Sequence, residues 1–477
     1  MIKNKNIGVC LGILALALGI VGASAARAQS RMAAGESGGA TETSAPSASA
    51  TPAATSPADL RQRIDALKAE LADLNTQLAV EKDETPAVPA AVAPQDPGSP
   101  TPANPPPAAT PAPAPLPSPS MAGPLATAVP HEFEAGPFGN LNVTGILSGM
   151  GWTEANYAGF LGDTPTHYDV TNAQIFIQKT SGWFQFFLQA GAYNLPAVGT
   201  TFLGTPDTVK GFYGPFPQGY VKLVKGNFNV EVGALPTLIG AEYTFSFENM
   251  NIERGLLWNQ ENAVNRGIQL NDTYKKLTVA FSWNDGFYSN RYTWLSGSLA
   301  YAFNSSNTLS FVGMGNAGAY ARVSSTSIAT PTTLNNSQIY NLLYTYTKGP
   351  VTITPYYQYT VVKTNPNIGI FQGAHTNGGA ILANYNFKHG FSLAVRPEYI
   401  KSSGTVLDPN SINLLYGPGS GAFSFTVTPT YVKDAFFIRG DFSIVHATDT
   451  TPAFGVFGPT GLKVNQPRGV LEAGFMF

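Results

Sequence analysis

The stretch VTITPYYQYTV, residues 351–361, has a period of two. Val351, Ile353, Tyr357, Tyr359 and Val361 share one face, and Thr352, Thr354, Tyr356, Gln358 and Thr360 share the other. Successive side chains of a β-strand point to opposite sides, so this alternation predicts a strand with one apolar and one polar face. AFSFTVTPTY (422–431) repeats the pattern. Phe423, Phe425, Val427 and Tyr431 oppose Ser424, Thr426, Thr428 and Thr430.

Working outward from these two, sixteen such segments can be read, at about 141–151, 168–178, 183–193, 219–225, 228–235, 267–274, 277–284, 293–303, 308–317, 337–347, 351–363, 375–387, 390–402, 421–432, 435–446 and 468–477. Their edges are loose enough to leave counts of about 14 or 18 open. The connections alternate. KTSG (179–182), KGN (225–227), NSSN (304–307), KGP (348–350), KHG (388–390) and KD (433–434) are short, and the loops between them are long and rich in Gly, Pro and Asn. An even number of strands with tight turns at one end and long loops at the other predicts an all-β fold, a transmembrane antiparallel β-barrel of the outer-membrane type. A sandwich would bury its apolar face and would not need this alternation.

Composition agrees. Charged residues are 12% of the 477, against about 25% in a soluble domain. Aromatics are also 12%, Gly numbers 49 and mean hydropathy is -0.01. Trp183, Phe228, Phe303, Tyr385, Phe387, Phe391 and Phe436 cluster near strand ends, where interfacial girdles belong. The last strand, GVLEAGFMF (469–477), places Leu471, Ala473, Phe475 and the terminal Phe477 on one face.

The N-terminal third differs. Lys3 and Lys5 precede an apolar run, Ile7–Val21, and an Ala26-Arg27-Ala28 site, which together predict a signal peptide over 1–28. The 15-residue run is short of the ~20 residues that span a bilayer as a helix. Cys10, the single cysteine, lies inside it, so the processed chain is expected to hold neither disulfide nor thiol chemistry. Three of the 27 basic residues also lie there, which leaves 24 against 29 acidic and argues against nucleic acid as a partner.

Residues 29–56 are low-complexity Ala, Ser, Thr and Gly, expected to be disordered. In 57–84, Leu60, Ile64, Leu67, Leu71, Leu74 and Leu78 form an a/d seam, expected to be a short coiled-coil helix pairing with copies of itself. Residues 85–137 are a Pro/Ala-rich linker, with 16 prolines among residues 86–130. The barrel is expected over 138–477, as a homotrimer, with the N-terminal arm in the periplasm and in contact there with the cell wall or another partner.

Closing a barrel of this size leaves a water-filled interior. Lys222, Glu231, Arg396, Glu398, Arg439, Asp441, Arg468 and Glu472 all fall on the polar side of their strands, hence on the lumen wall. In lipid an arginine or lysine there would cost about 2–4 kcal/mol at the midplane. Passive diffusion of small hydrophilic solutes is the expected function, with outer-membrane lipid around the barrel. Two alternatives are a channel selective for sugars or small organic acids, and a structural barrel tethering the membrane to the cell wall.

One long loop holds much of the scarce charge. ALPTLIGAEYTFSFENMNIERGLLWNQENAVNRG (234–267) joins the fifth and sixth predicted strands and carries Glu242, Glu248, Glu253, Arg254 and Glu261. LPTLIGAEYTF (235–245), the following ENMN and ERG, and GLLWNQE (255–261) resemble the OmpL-like β-barrel porin family, with the likeness extending over roughly 138–477. The resemblance implies an outer-membrane porin. A third loop folded inward would set the four glutamates against Arg396, Arg439, Arg468 and Lys222 across a narrow water column.

Other signals carry less. GMGNAG (313–318) matches G-x-G-x-x-G but leads into a loop, not a helix. His131, His167, His375, His389 and His446 are scattered, without metal-ligand spacing. No enzyme, metal or cofactor is expected.

Overall fold

The computed structural model describes residues 131–157, 164–318, 328–405, 412–450 and 456–477. The signal peptide, the low-complexity segment, the coiled-coil helix and all but the last residues of the linker lie outside the described residues. Those last residues are paired. Strand β1 (His131–Glu134) lies antiparallel to the start of β2.

Sixteen spanning strands follow: β2 (Asn140–Glu154), β3 (Thr166–Lys179), β4 (Phe184–Tyr193), β5 (Gln218–Lys225), β6 (Phe228–Pro236), β7 (Val264–Tyr274), β8 (Leu277–Asn284), β9 (Trp294–Asn304), β10 (Asn307–Asn316), β11 (Ser337–Lys348), β12 (Val351–Val362), β13 (Ala374–Asn386), β14 (Phe391–Ser402), β15 (Gly421–Lys433), β16 (Phe436–Thr448) and β17 (Asn465–Met476). Each pairs antiparallel with the next, and β17 pairs back onto β2, so the sheet is closed. Closure leaves the sheet without a free edge, so the strands pair their backbone groups with one another, as a bilayer demands.

The seam is finished by the last residue. Phe477 exchanges two backbone hydrogen bonds with Gly145, at 2.6 and 3.0 Å, and its ring lies where a side chain at 145 would stand.

Burial is inverted relative to a soluble domain. In β12, Ile353 is 37% exposed while Thr354 is fully buried; in β15, Phe425 is 39% exposed while Thr426 is fully buried. The apolar face therefore points out and the polar face in. The expected girdle is exposed at the short-turn end, from Trp183 and Phe228 to Phe387 and Phe391. The eight long connections share the other end. Loop two (194–217) contains helix α1 (Thr205–Gly211), and loop three is 237–263.

Candidate functional site

Loop three leaves the wall between β6 and β7 and bonds to the far side of the lumen. Its anchors run in strand order. The Gly240 amide donates to Asn341 on β11 (2.9 Å), and Gln358 on β12 donates to the Leu257 carbonyl (3.0 Å). Thr376 on β13 donates to Gln260 (2.6 Å), and Asn251 donates to Thr428 on β15 (2.5 Å). The Glu253 amide donates to Asp441 on β16 (2.7 Å), and Asn172 on β3 donates to Ser246 (2.9 Å).

Three arginines of the wall complete the clasp. Arg396 on β14 binds Glu242 at 2.5 Å, the Glu253 carbonyl at 2.6 Å and its strand neighbour Glu398 at 3.2 Å. Arg439 on β16 pairs with Glu472 on β17 at 2.7 Å and donates to the Asn249 carbonyl at 3.1 Å. Arg468 on β17 grips Glu253 and Glu154, each at 2.6 Å, and lies over the Trp152 ring. It also donates to the Ala197 and Thr200 carbonyls of loop two, at 2.9 and 2.6 Å. Loop two bonds to loop three in turn: Arg254 N donates to the Pro196 carbonyl at 3.0 Å, and Val198 N to the Arg254 carbonyl at 2.9 Å.

Of the eight residues expected on the lumen wall, Glu231, Arg396, Glu398, Arg439, Asp441, Arg468 and Glu472 are buried and Lys222 is partly exposed. Their surroundings differ from the expectation. The Arg396–Glu242 and Arg468–Glu253 pairs, expected to oppose each other across water, are in contact, with side chains at most 1% exposed. Such pairs lose solvation on both partners and recover it only through good geometry, so they specify a position more than they add stability. Lys222 on β5 and Glu231 on β6 pair with each other at 3.0 Å and keep side-chain exposures of 18% and 11%. Glu248 is also partly exposed, and its carboxylate accepts from the Phe245 amide.

Two loop charges stand apart from the clasp. Arg254 is fully buried, its guanidinium nitrogens have no hydrogen-bond partner among the described residues, and it lies over Trp258 at 5.2 Å. Burial lowers it to about 10, so it stays cationic near neutrality. Neither carboxylate oxygen of Glu261 has a hydrogen-bond partner among the described residues. Burial, and then the nearby charges of Glu242 and Glu398, raise Glu261 well above the usual carboxylate range.

Sequence reading missed Glu154 and Asp169. Glu154 continues the inward row of Ser148, Met150 and Trp152 three residues past the expected strand end. Asp169 accepts from the Thr205 amide at 2.5 Å and so seats helix α1. A longer strand register would have found Glu154, whereas Asp169 lay inside an expected strand and its partner helix gave no sign of it.

The profile of the family described as "Putative beta-barrel porin-2, OmpL-like" matches residues 140–477, more than half of the chain. The chain belongs to this porin family. No curated protein matches the sequence. Among solved structures, this porin is similar to the anion-selective porin from Comamonas acidovorans, at 12% identity and TM-score 0.48 over 71% of this chain and 99% of that one. It is also similar to Salmonella typhi OmpF in complex with daunomycin, at 12% identity and TM-score 0.46 over 73% and 100% of the two chains. The outer membrane channel DcaP of Acinetobacter baumannii gives 9% identity and TM-score 0.46 over 72% and 99%. The closed barrel of sixteen spanning strands and the family together make this an outer-membrane porin.

Proposed function

We propose that small hydrophilic solutes cross this porin passively, and that loop three narrows the path by occupying one side of the lumen. The observation that carries this reading is the run of anchors from β11 through β17 and on to β3. On the other side, lumen-facing Gln185, Lys222, Ser298 and Ser310 keep partial exposure. The partly exposed charges Lys222, Glu231 and Glu248 are then the ones that act on ions in transit, while Glu242, Glu253, Arg396, Arg439 and Arg468 hold the loop.

Single-channel recording in planar bilayers tests both parts. Steady open steps are expected, and the absence of current would favour a structural barrel. Glu248→Gln is expected to shift cation/anion selectivity, whereas Glu253→Gln is expected to alter conductance and noise by freeing the loop. Equal selectivity shifts from both would sink the division between acting and holding charges.

The protein is a channel rather than an enzyme. We further propose a homotrimer with a periplasmic N-terminal extension, supported by the heptad seam of 57–84, which is apolar on one stripe and needs a partner. Deleting 29–130 and running the barrel in mild detergent separates helix from barrel as the source of assembly. Loss of the trimer would assign assembly to the helix, and its retention to the barrel.

A further inference from the structure

A water-filled barrel is expected to line its lumen with polar side chains, and β3, β4 and β5 break that rule. Phe176, Phe187 and Tyr220 all face inward. The register fixes this: Phe187 stands opposite Gln178 on one side and Tyr220 on the other, and Phe176 stands opposite Gln189. The three rings form a staircase, with centroids 6.2 Å apart from Phe176 to Phe187 and 5.5 Å from Phe187 to Tyr220, and interplanar angles of 29° and 30°. Loop three covers the upper step, where Phe247 lies 5.5 Å from Phe176. Anchoring the loop explains the buried Phe176. It does not explain Phe187 and Tyr220, which keep part of their surface exposed one and two strands further along.

The rim of this staircase is polar and of both hydrogen-bonding senses. Lys222 follows Tyr220 on the same face, pairs with Glu231 at 3.0 Å and stands opposite Gln185. Flat rings beside fixed donors and acceptors match one class of hydrophilic solute in particular. A pyranose ring has an apolar C–H face that stacks on an aromatic ring and an edge of hydroxyls that both donate and accept. Aromatic side chains hold such a contact at low entropic cost because they have only two rotatable bonds. Steps set by the strand spacing of about 4.8 Å also suit a chain of linked rings, which can pass from one platform to the next.

We propose that Phe187 and Tyr220, with Lys222, Glu231 and Gln185, form a carbohydrate-binding platform in the lumen, and that its ligand is a short oligosaccharide on its way through. The proposal rests on the pore reading above and narrows its solute class.

Ion current through the reconstituted full-length protein tests it, with a linear maltooligosaccharide as probe and a polyethylene glycol of similar size as control. Concentration-dependent block by the sugar, absent with the polymer, is the expected result. Tyr220→Ala and Phe187→Leu, each read against its own open current, are expected to weaken the block roughly tenfold, the change that about 1.4 kcal/mol makes. Phe187→Leu keeps an apolar side chain and removes only the flat face. Tyr220→Phe is expected to retain most of the block. A channel that conducts but is blocked no better by sugar than by polymer overturns the platform and leaves the pore reading intact. So does a wild-type block constant in both Tyr220→Ala and Phe187→Leu. A barrel that passes no current overturns the pore reading and the platform with it.

Discussion

The two sides of this lumen are built from the same alternating strands but do opposite things with their polar face. From β11 to β17 most inward side chains are buried and loop three is bonded to them, and the charges among them are paired at contact distance except Asp441, which accepts from Thr428 and the Glu253 amide. From β4 to β10 part of the inward face stays open, carrying one Lys–Glu pair and a staircase of rings. The difference lies in what covers them. A charge facing water needs no partner, whereas a charge under a loop must be matched or it opposes the loop's position. The clasped side therefore has pairs, and the open side has room.

The strongest way to break the contrast is to remove the hub of the clasp. Arg468→Ala leaves Glu154 and Glu253 buried without their cation, so a loss of about 3–5 kcal/mol is expected, seen as a lower unfolding temperature in detergent and a larger, noisier conductance. An unchanged unfolding temperature would show that the clasp is not what seats the loop.

Gly255→Ala should rank next. A methyl group there meets the Glu398 carboxylate, so the loop must shift, at a cost of about 1–3 kcal/mol. Reduced thermal stability with a raised open current would confirm it.

Glu261 sharpens the comparison through pH. Its folded-state affinity for the proton exceeds that of the unfolded chain, so its contribution is fully present at low pH. That contribution is lost as the pH rises from the ordinary carboxylate range through its raised value. Loop three is expected to loosen over that rise, and Glu261→Gln should flatten the dependence. Thermal melts of both proteins across pH would show it, and parallel curves would count against it.

The smallest effect on stability belongs to the open side. Lys222→Met breaks a partly exposed pair and should cost under about 1 kcal/mol, while shifting ion selectivity toward cations. A large loss of stability would mean that this side is clasped as well.

Much of this was legible in the residues. The period of two at 351–361 and 422–431 predicts the strands, and the alternating loop lengths predict the closed barrel. The inward placement of Arg396, Arg439 and Arg468 follows from their neighbours, because a strand side chain has only two directions to choose from. Asn251 and Ser246 gave no sign of the wall residues they meet, since nothing local tells which polar loop residues will reach Thr428 or Asn172, 177 and 74 positions away. Glu154 was lost to a strand edge, and the ring staircase was lost because Phe176, Phe187 and Tyr220 belong to three different strands.

The sequence by itself determined the strand period, the sidedness and the closure, because each depends on neighbours two residues apart or on the length of a turn. Only the tertiary structure decided which charges are free and which are spent. Glu242 and Arg396 lie 154 positions apart in the chain and 2.5 Å apart in the fold. Their pairing depends on where loop three comes to rest, which is a property of the whole closed barrel and not of any one strand.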